Sequence, residues 1–277
     1  MSLESSLLVR FLAESPFQPA TDLWRATEIA FVARRGLPAG RGLDVGCGDG
    51  HLMAILLRAV RQMPDLVGVD LDPEEVSRAA EFNIYSALHV ASADAIPEPA
   101  ASFDWAFSNS VLEHVEPIEG TLAEVSRVLR PGAKFILTVP SSEFHACLGG
   151  PIRRSRGSRA RYLEMIDRRC AHLRYWTDDE WRAALGRHGF EMEVCEGYLS
   201  GPEVRRWEYV SGLTAGILYA LSGRRPIQIQ RGLGMRSGRR LPRVAALVAA
   251  RLLALGQRPA GGGPQGCRYI VARRLPG

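Results

Sequence analysis

The chain has 277 residues, a formal net charge of +5 and 46% apolar residues, proportions that allow a sizeable core and exclude wholesale disorder, collagen-like repeats and low complexity. Residues 1–140 hold 11 basic and 19 acidic side chains, net −8, whereas residues 141–277 hold 24 and 11, net +13. The N-terminal MSLESSLLVRFLAES lacks the basic region of a secretory signal, and no apolar run reaches the ~18 residues of a spanning helix, so a cytoplasmic protein is expected.

Helical apolar spacing runs through Ser2–Glu14 and Thr21–Arg35, with Asp22 as the expected cap of the second helix. Gly42–Val45 reads as a buried strand that breaks into glycines and a helix, His51–Arg61. Asp65–Val69 is the next strand, and Pro73 opens the helix Pro73–Asn83. Ala87–Ala91 and Phe103–Ser108 are the third and fourth strands. Gly120–Leu129 is a helix stopped by Arg130-Pro131-Gly132, and Ala133–Val139 is the fifth strand. Strands alternating with helices predict an α/β, doubly wound parallel sheet.

The second half is less regular. Residues 145–175 are Arg-rich and read as a lid-like insertion, followed by a helix, Thr177–His188, with a Thr177/Glu180 capping box. Phe190–Cys195 and Cys267–Arg273 read as strands. Between them, residues 196–266 carry eleven arginines and two apolar stretches, Tyr209–Leu221 and Val244–Leu255. The division expected is an N-terminal helical extension (1–40), a core (41–195), a basic helical insertion (196–266) and a final strand with its tail (267–277). The five cysteines are odd in number and contain no CxxC, so neither disulfides nor a metal site are expected.

The chemistry concentrates in LDVGCGDG, residues 43–50. Gly46, Gly48 and Gly50 follow a strand and open a helix, where the chain turns hard and a ligand can pack on bare backbone. Asp70 ends the next strand, 24 residues after Gly46, where a carboxylate can accept the hydroxyl hydrogens of a ribose. A dinucleotide fingerprint needs G-x-G-x-x-G, but here the third glycine falls one residue early. Asp44 would repel a pyrophosphate and suits a cation. S-adenosylmethionine, with a sulfonium, an ammonium and no phosphate, fits better than a nicotinamide dinucleotide.

Four segments then match in order. LDVGCGDG, VGVDLDP, ASADAIP and SNSVLEHV…RVLRPGAKFILTVP resemble the class I S-adenosylmethionine-dependent methyltransferases over about residues 40–140 and 175–195. Within the class, LEHV is similar to the small-molecule group that includes the ubiquinone-biosynthesis O-methyltransferases. The resemblance implies a Rossmann-like seven-stranded sheet whose last two strands close it, the Arg-rich segment being inserted before the last strand. It implies cofactor contacts from Asp44, Gly46, Gly48, Gly50, Asp70, Leu71, Asp94, Ala95 and Ser108, with Leu71 under the adenine and Asp94 on its amino group. It also implies methyl transfer to a small-molecule acceptor, O-methylation first, with lipid-linked and glycosidic acceptors included.

A hydroxyl acceptor needs a base. His114 in LEHV is the first candidate, with Glu113 beside it to orient the ring or share a metal, and His145 is the second. His172 is a further residue for the substrate mouth. The basic insertion has three readings beyond a solvated cover: an anionic membrane surface met from the cytoplasmic side, an acidic acceptor, or RNA, the last placed lowest for want of an aromatic platform. The competing functions are an NAD-dependent oxidoreductase and a non-catalytic cofactor-binding or membrane-associating module. The oligomeric state stays open.

Overall fold

The computed structural model describes residues 1–15, 17–150, 159–222, 240–254 and 262–276. The rest of the expected lid (151–158), arginines 224, 225, 231, 236, 239 and 258, and Leu255 lie outside the described residues. The chain divides into two compact units. One comprises Met1–Phe31, Glu143–His172 and Leu199–Gly266, and the other Val32–Ser142, Leu173–Tyr198 and Cys267–Gly277.

The second unit is the sheet unit. Its strands are β1 (Gly42–Val45), β2 (Leu66–Asp70), β3 (Ala87–Val90), β4 (Phe103–Asn109), β5 (Leu129–Pro140), β6 (Phe190–Ser200) and β7 (Gln265–Arg274). They form one sheet in the order β3-β2-β1-β4-β5-β7-β6. The pairs from β3 to β5 are parallel, and β7 runs antiparallel to β5, Ile136 facing Val271. The architecture is the doubly wound α/β sheet that the alternating pattern predicts, with the seven strands that the resemblance implies.

The apolar runs FILTV and LVGV produce strands buried on both sides. Leu43, Val45, Val67, Val69, Phe135, Leu137 and Ile270 form a core with Leu122 and Val125 of α5 (Ile118–Val128) and Trp181 and Leu185 of α8 (Asp178–Arg187). α3 (His51–Val60) and α4 (Pro73–Ala80) complete the crossovers from β1 to β2 and from β2 to β3.

The strand β5 begins earlier than its sequence suggests. Arg130-Pro131-Gly132, expected only to stop α5, lie inside it. The register jumps from Phe103↔Leu129 to Trp105↔Lys134, and Gly132 takes φ 83°. The three residues are absorbed in a bulge, where a proline without an N–H and a glycine with positive φ are tolerated.

The other unit is helical. It gathers the segments expected separately as N-terminal extension, lid and insertion: α1 (Leu3–Glu14), most of α2 (Pro19–Ala33), α6 (Phe144–Cys147), α7 (Arg159–Cys170), α9 (Gly201–Leu213), α10 (Ala215–Ser222) and α11 (Arg243–Ala254). Trp24, Phe144 and Trp207 pack edge-on or tilted with centroids 5.3–6.0 Å apart. Buried Glu208 accepts the N–H groups of Gly149 (2.7 Å) and Gly150 (3.1 Å) and the Tyr162 hydroxyl, which satisfies both its oxygens. α2 starts at Pro19, so Asp22 is not its cap. It sits inside the first turn, buried, with Oδ2 lacking a partner.

Candidate functional site

Because β3, β2, β1 and β4 are parallel neighbours, the loops after their C-terminal ends share one edge of the sheet. That edge is where ligands enter open α/β sheets. In spatial order it carries the Asp94 loop, Asp70–Leu71, the turn 46–50 and the segment 110–114.

The glycine turn is built from backbone. The N–H groups of Gly46 (2.8 Å) and Cys47 (3.0 Å) both donate to the Val69 carbonyl, fixing the end of β1 against β2. The Gly48 N–H donates to Asp70 Oδ2 at 2.8 Å, so the turn and the strand-end acid form one assembly. Gly46 has φ +76°, and a Cβ there would meet the Val111 side chain at 2.5 Å. Its room is taken by the protein itself, not by a ligand as expected from sequence. Gly48, at φ +53°, faces open space, so its bare backbone is the part of the turn left for a ligand.

Asp70 does not cap α4. Its Oδ1 accepts the Asp72 N–H at 2.9 Å, and Asp72 is the cap, accepting from the Glu74 N–H at 2.9 Å. Leu71 beside it is 72% exposed, an apolar face without a protein cover. Asp94 and Ala95 are exposed, Asp94 packing its Cβ near Gly120 at the start of α5. Ser108 is fully buried within β4, with no surface for a ligand and no partner on Oγ. It belongs to the sheet, in contrast to the contact its segment implied.

Asp44 is 4% exposed at the end of β1. Burial pushes its carboxyl up to about 7, the nearby Asp70 charge adds to this, and a 2.7 Å hydrogen bond from the Tyr85 hydroxyl opposes it. Tyr85, in the loop before β3, had no sequence signal: one tyrosine 41 residues away follows no spacing rule. The same acids and burial hold the Cys47 thiol protonated. The donor set suits S-adenosylmethionine, since a buried carboxylate is stabilised by a cation and a second carboxylate with spare lone pairs can take ribose hydroxyls. The residues that can hold the cofactor are therefore Asp44, Gly48, Asp70, Leu71 and Asp94.

After β4 the chain makes a single 3-10 turn, Leu112–His114, closed by a 2.9 Å bond from the His114 N–H to the Val111 carbonyl. The turn is braced by the Leu173 N–H on the Glu113 carbonyl (2.9 Å) and by Arg174 on the Leu112 carbonyl. Glu113 is buried, while the imidazole of His114 is partly exposed, with Nε2 3.8 Å from Glu113 Oε1. His145 lies in the helical unit, where Nε2 is 2.8 Å from Asp167 Oδ1, a contact that orders its ring. His172 belongs to the helical unit as well.

The helical unit has its own cavity of about 440 Å³. Leu8, Leu23, Trp24, Trp207 and Leu247 form its apolar walls, and Glu4 and Arg206 reach it as polar groups. Arg206 keeps a buried Nη2 without a partner, and desolvation lowers its pKa.

A family model described as a methyltransferase domain matches residues 20–194. The demethylmenaquinone methyltransferase of Symbiobacterium thermophilum is 34% identical over 130 residues, 44% of this chain and 51% of that protein. The ubiquinone biosynthesis O-methyltransferase of Hahella chejuensis is 28% identical over 229 residues, 78% of this chain and 89% of that protein. The chain spans from about a third to two thirds of the length of the first curated relatives it matches. Among solved structures, a possible histamine N-methyltransferase from Thermotoga maritima superposes with TM-score 0.56 at 15% identity, covering 98% of this chain and 99% of that one. A geranyl diphosphate C-methyltransferase from Streptomyces coelicolor, solved with S-adenosyl-L-homocysteine, gives 0.56 at 12% identity over 93% and 84%. At such identities these two show the fold alone. With the family match covering more than half its length, on a sheet edge whose acids suit that cofactor, the chain belongs to the class I S-adenosylmethionine-dependent methyltransferases.

Proposed function

We propose that the protein methylates a hydroxyl of a small-molecule acceptor. The observation that carries this reading is the buried Asp44, held by Tyr85 beside the Gly48–Asp70 clamp: an acidic cradle for a cationic methyl donor. S-adenosylmethionine supplies an electrophilic methyl group on its sulfonium. Asp44 would stabilise positive charge, Asp70 would hold the ribose, Leu71 would lie under the adenine, and Asp94 would take its amino group. The nicotinamide alternative is not favoured, since it lacks both the third glycine spacing and the family match.

His114 is the proposed base. It stands on the loop after β4, and Glu113, 3.8 Å from its Nε2, favours the imidazolium that forms as the acceptor's proton arrives. His145 is the second reading, favoured by its bond to Asp167, which fixes the ring. The test is transfer of labelled methyl to panels of phenols, sugars, lipids and amines. Label on an oxygen of a phenol or alcohol is expected. Label on nitrogen or carbon overturns the O-methylation, and cofactor binding without transfer to any acceptor points to the non-catalytic module.

A further inference from the structure

Apolar side chains on the outside of a helix are normally few, because the outward stripe is polar. The helical unit departs from this on three helices. On α11, Ala246 and Ala250 face inward, while Val244 (74% exposed), Val248 and Leu252 lie four apart on the outer side. Residues four apart share one helix face. Tyr209 and Leu213 on α9, and Ile217 and Leu221 (83% exposed) on α10, repeat the spacing. Half of the fourteen exposed large apolar side chains among the described residues stand on these helices. A concentration of this kind marks an interaction surface.

The charges on the same helices identify the partner. From Tyr209 to Ala254 the sequence has no Asp or Glu, and among the described residues Arg243 and Arg251 stand on α11. Arg243 and Arg251 are exposed next to Val244 and Leu252, and Arg205 is exposed one turn before Tyr209. Arginine stems lie along apolar surface while their guanidinium groups reach phosphates. A second copy of the chain would bring two acid-free, Arg-bearing faces together, which repel. Nucleic acid would pair with the arginines but leave the aliphatic stripes without partners. A phospholipid surface satisfies both, with acyl chains for the stripes and anionic headgroups for the arginines. No helix among the described residues is long and apolar enough to cross a membrane, so these helices would lie along the surface.

We propose that the outer faces of α9, α10 and α11 dock the protein on an anionic phospholipid surface. The test is flotation of the full chain with phosphatidylcholine vesicles and with vesicles that also contain phosphatidylglycerol. Binding to the anionic vesicles alone is expected, weakening as salt is raised. Replacing Val244, Val248 and Leu252 together by Ser should lower partition by about tenfold or more, while circular dichroism and cofactor affinity stay unchanged, as exposed positions allow. Arg243→Glu with Arg251→Glu should abolish the preference for anionic lipid. Absence of flotation with either vesicle, or equal partition of the Ser variant, overturns the proposal. A wild-type dimer that the Ser variant turns into a monomer, without vesicle binding, assigns the face to a second copy instead.

Discussion

A carboxylate buried at the end of β1 costs free energy until a cation arrives, and Asp44 illustrates what that implies. With its pKa pushed up to about 7 by burial, the group is largely protonated in the empty site below that pH. A cationic cofactor selects the ionised form, so affinity should rise with pH through about 7, by about tenfold between pH 6 and pH 8. Asp44→Asn should bind weakly and without that slope, and Tyr85→Phe, losing the bond that favours the carboxylate, should move the midpoint to higher pH. Calorimetric affinities across this range check both. His114→Ala should lower kcat by roughly 100-fold or more while leaving cofactor affinity intact, since it is placed as a base. Equal loss of both would make it structural. At this scale the placement of Asp44, Gly48 and Asp70 at one edge of the sheet was legible, because each stands at or just beyond the end of a strand. Tyr85 was not, because a side chain that returns from the other end of α4 leaves no trace in local spacing. Ser108 misled for a related reason: a segment match carries a position to the sheet edge without telling which side of the pleat is covered.

The elements were legible where local chemistry decides them. The Thr177/Glu180 box sits where the sequence placed it, Thr177 Oγ1 accepting the Glu180 N–H at 3.2 Å and Glu180 accepting the Thr177 N–H at 2.7 Å. Thr177→Ala should therefore cost about 1 kcal/mol in denaturant unfolding. The same signal stands in S-G-P-E at Ser200–Glu203, which opens α9 with the Ser200 N–H 2.7 Å from Glu203 Oε2. Asp22 shows the opposite failure. The pattern named it a cap, but α2 begins three residues earlier, and burial inside the unit raises its carboxyl to about 8. A folded pKa above the unfolded one means that stability is fullest below about pH 4 and declines as pH rises through 8. Asp22→Asn should remove that part of the decline, so that wild type and variant differ most above pH 8 in thermal melts. The entry to β5 was misplaced because Pro131 and Gly132 stop a helix and also form a bulge, and only pairing with β4 decides between the two.

For the molecule as a whole, the division of charge seen in the sequence corresponds to a division of labour. The acidic half contributes β1 to β5 and their loops, where a cationic cofactor is to be held. Most of the basic excess falls on segments of the helical unit, whose outer faces carry the proposed lipid contact. The parallel strands β1 to β5 were readable from alternation, and the closing pair β6 and β7 from the resemblance. The helical unit was not, since its three segments are separated by well over a hundred residues in places and come together only through tertiary packing such as Trp24 on Trp207. The most direct test of the central claim is calorimetric titration of wild type and Asp70→Ala with S-adenosylmethionine, with NAD as the control. Wild type should bind S-adenosylmethionine and not NAD, and loss of the charged acceptor in Asp70→Ala should weaken binding by about 10- to 100-fold. An unchanged dissociation constant in the variant, or no binding by wild type, would contradict the account.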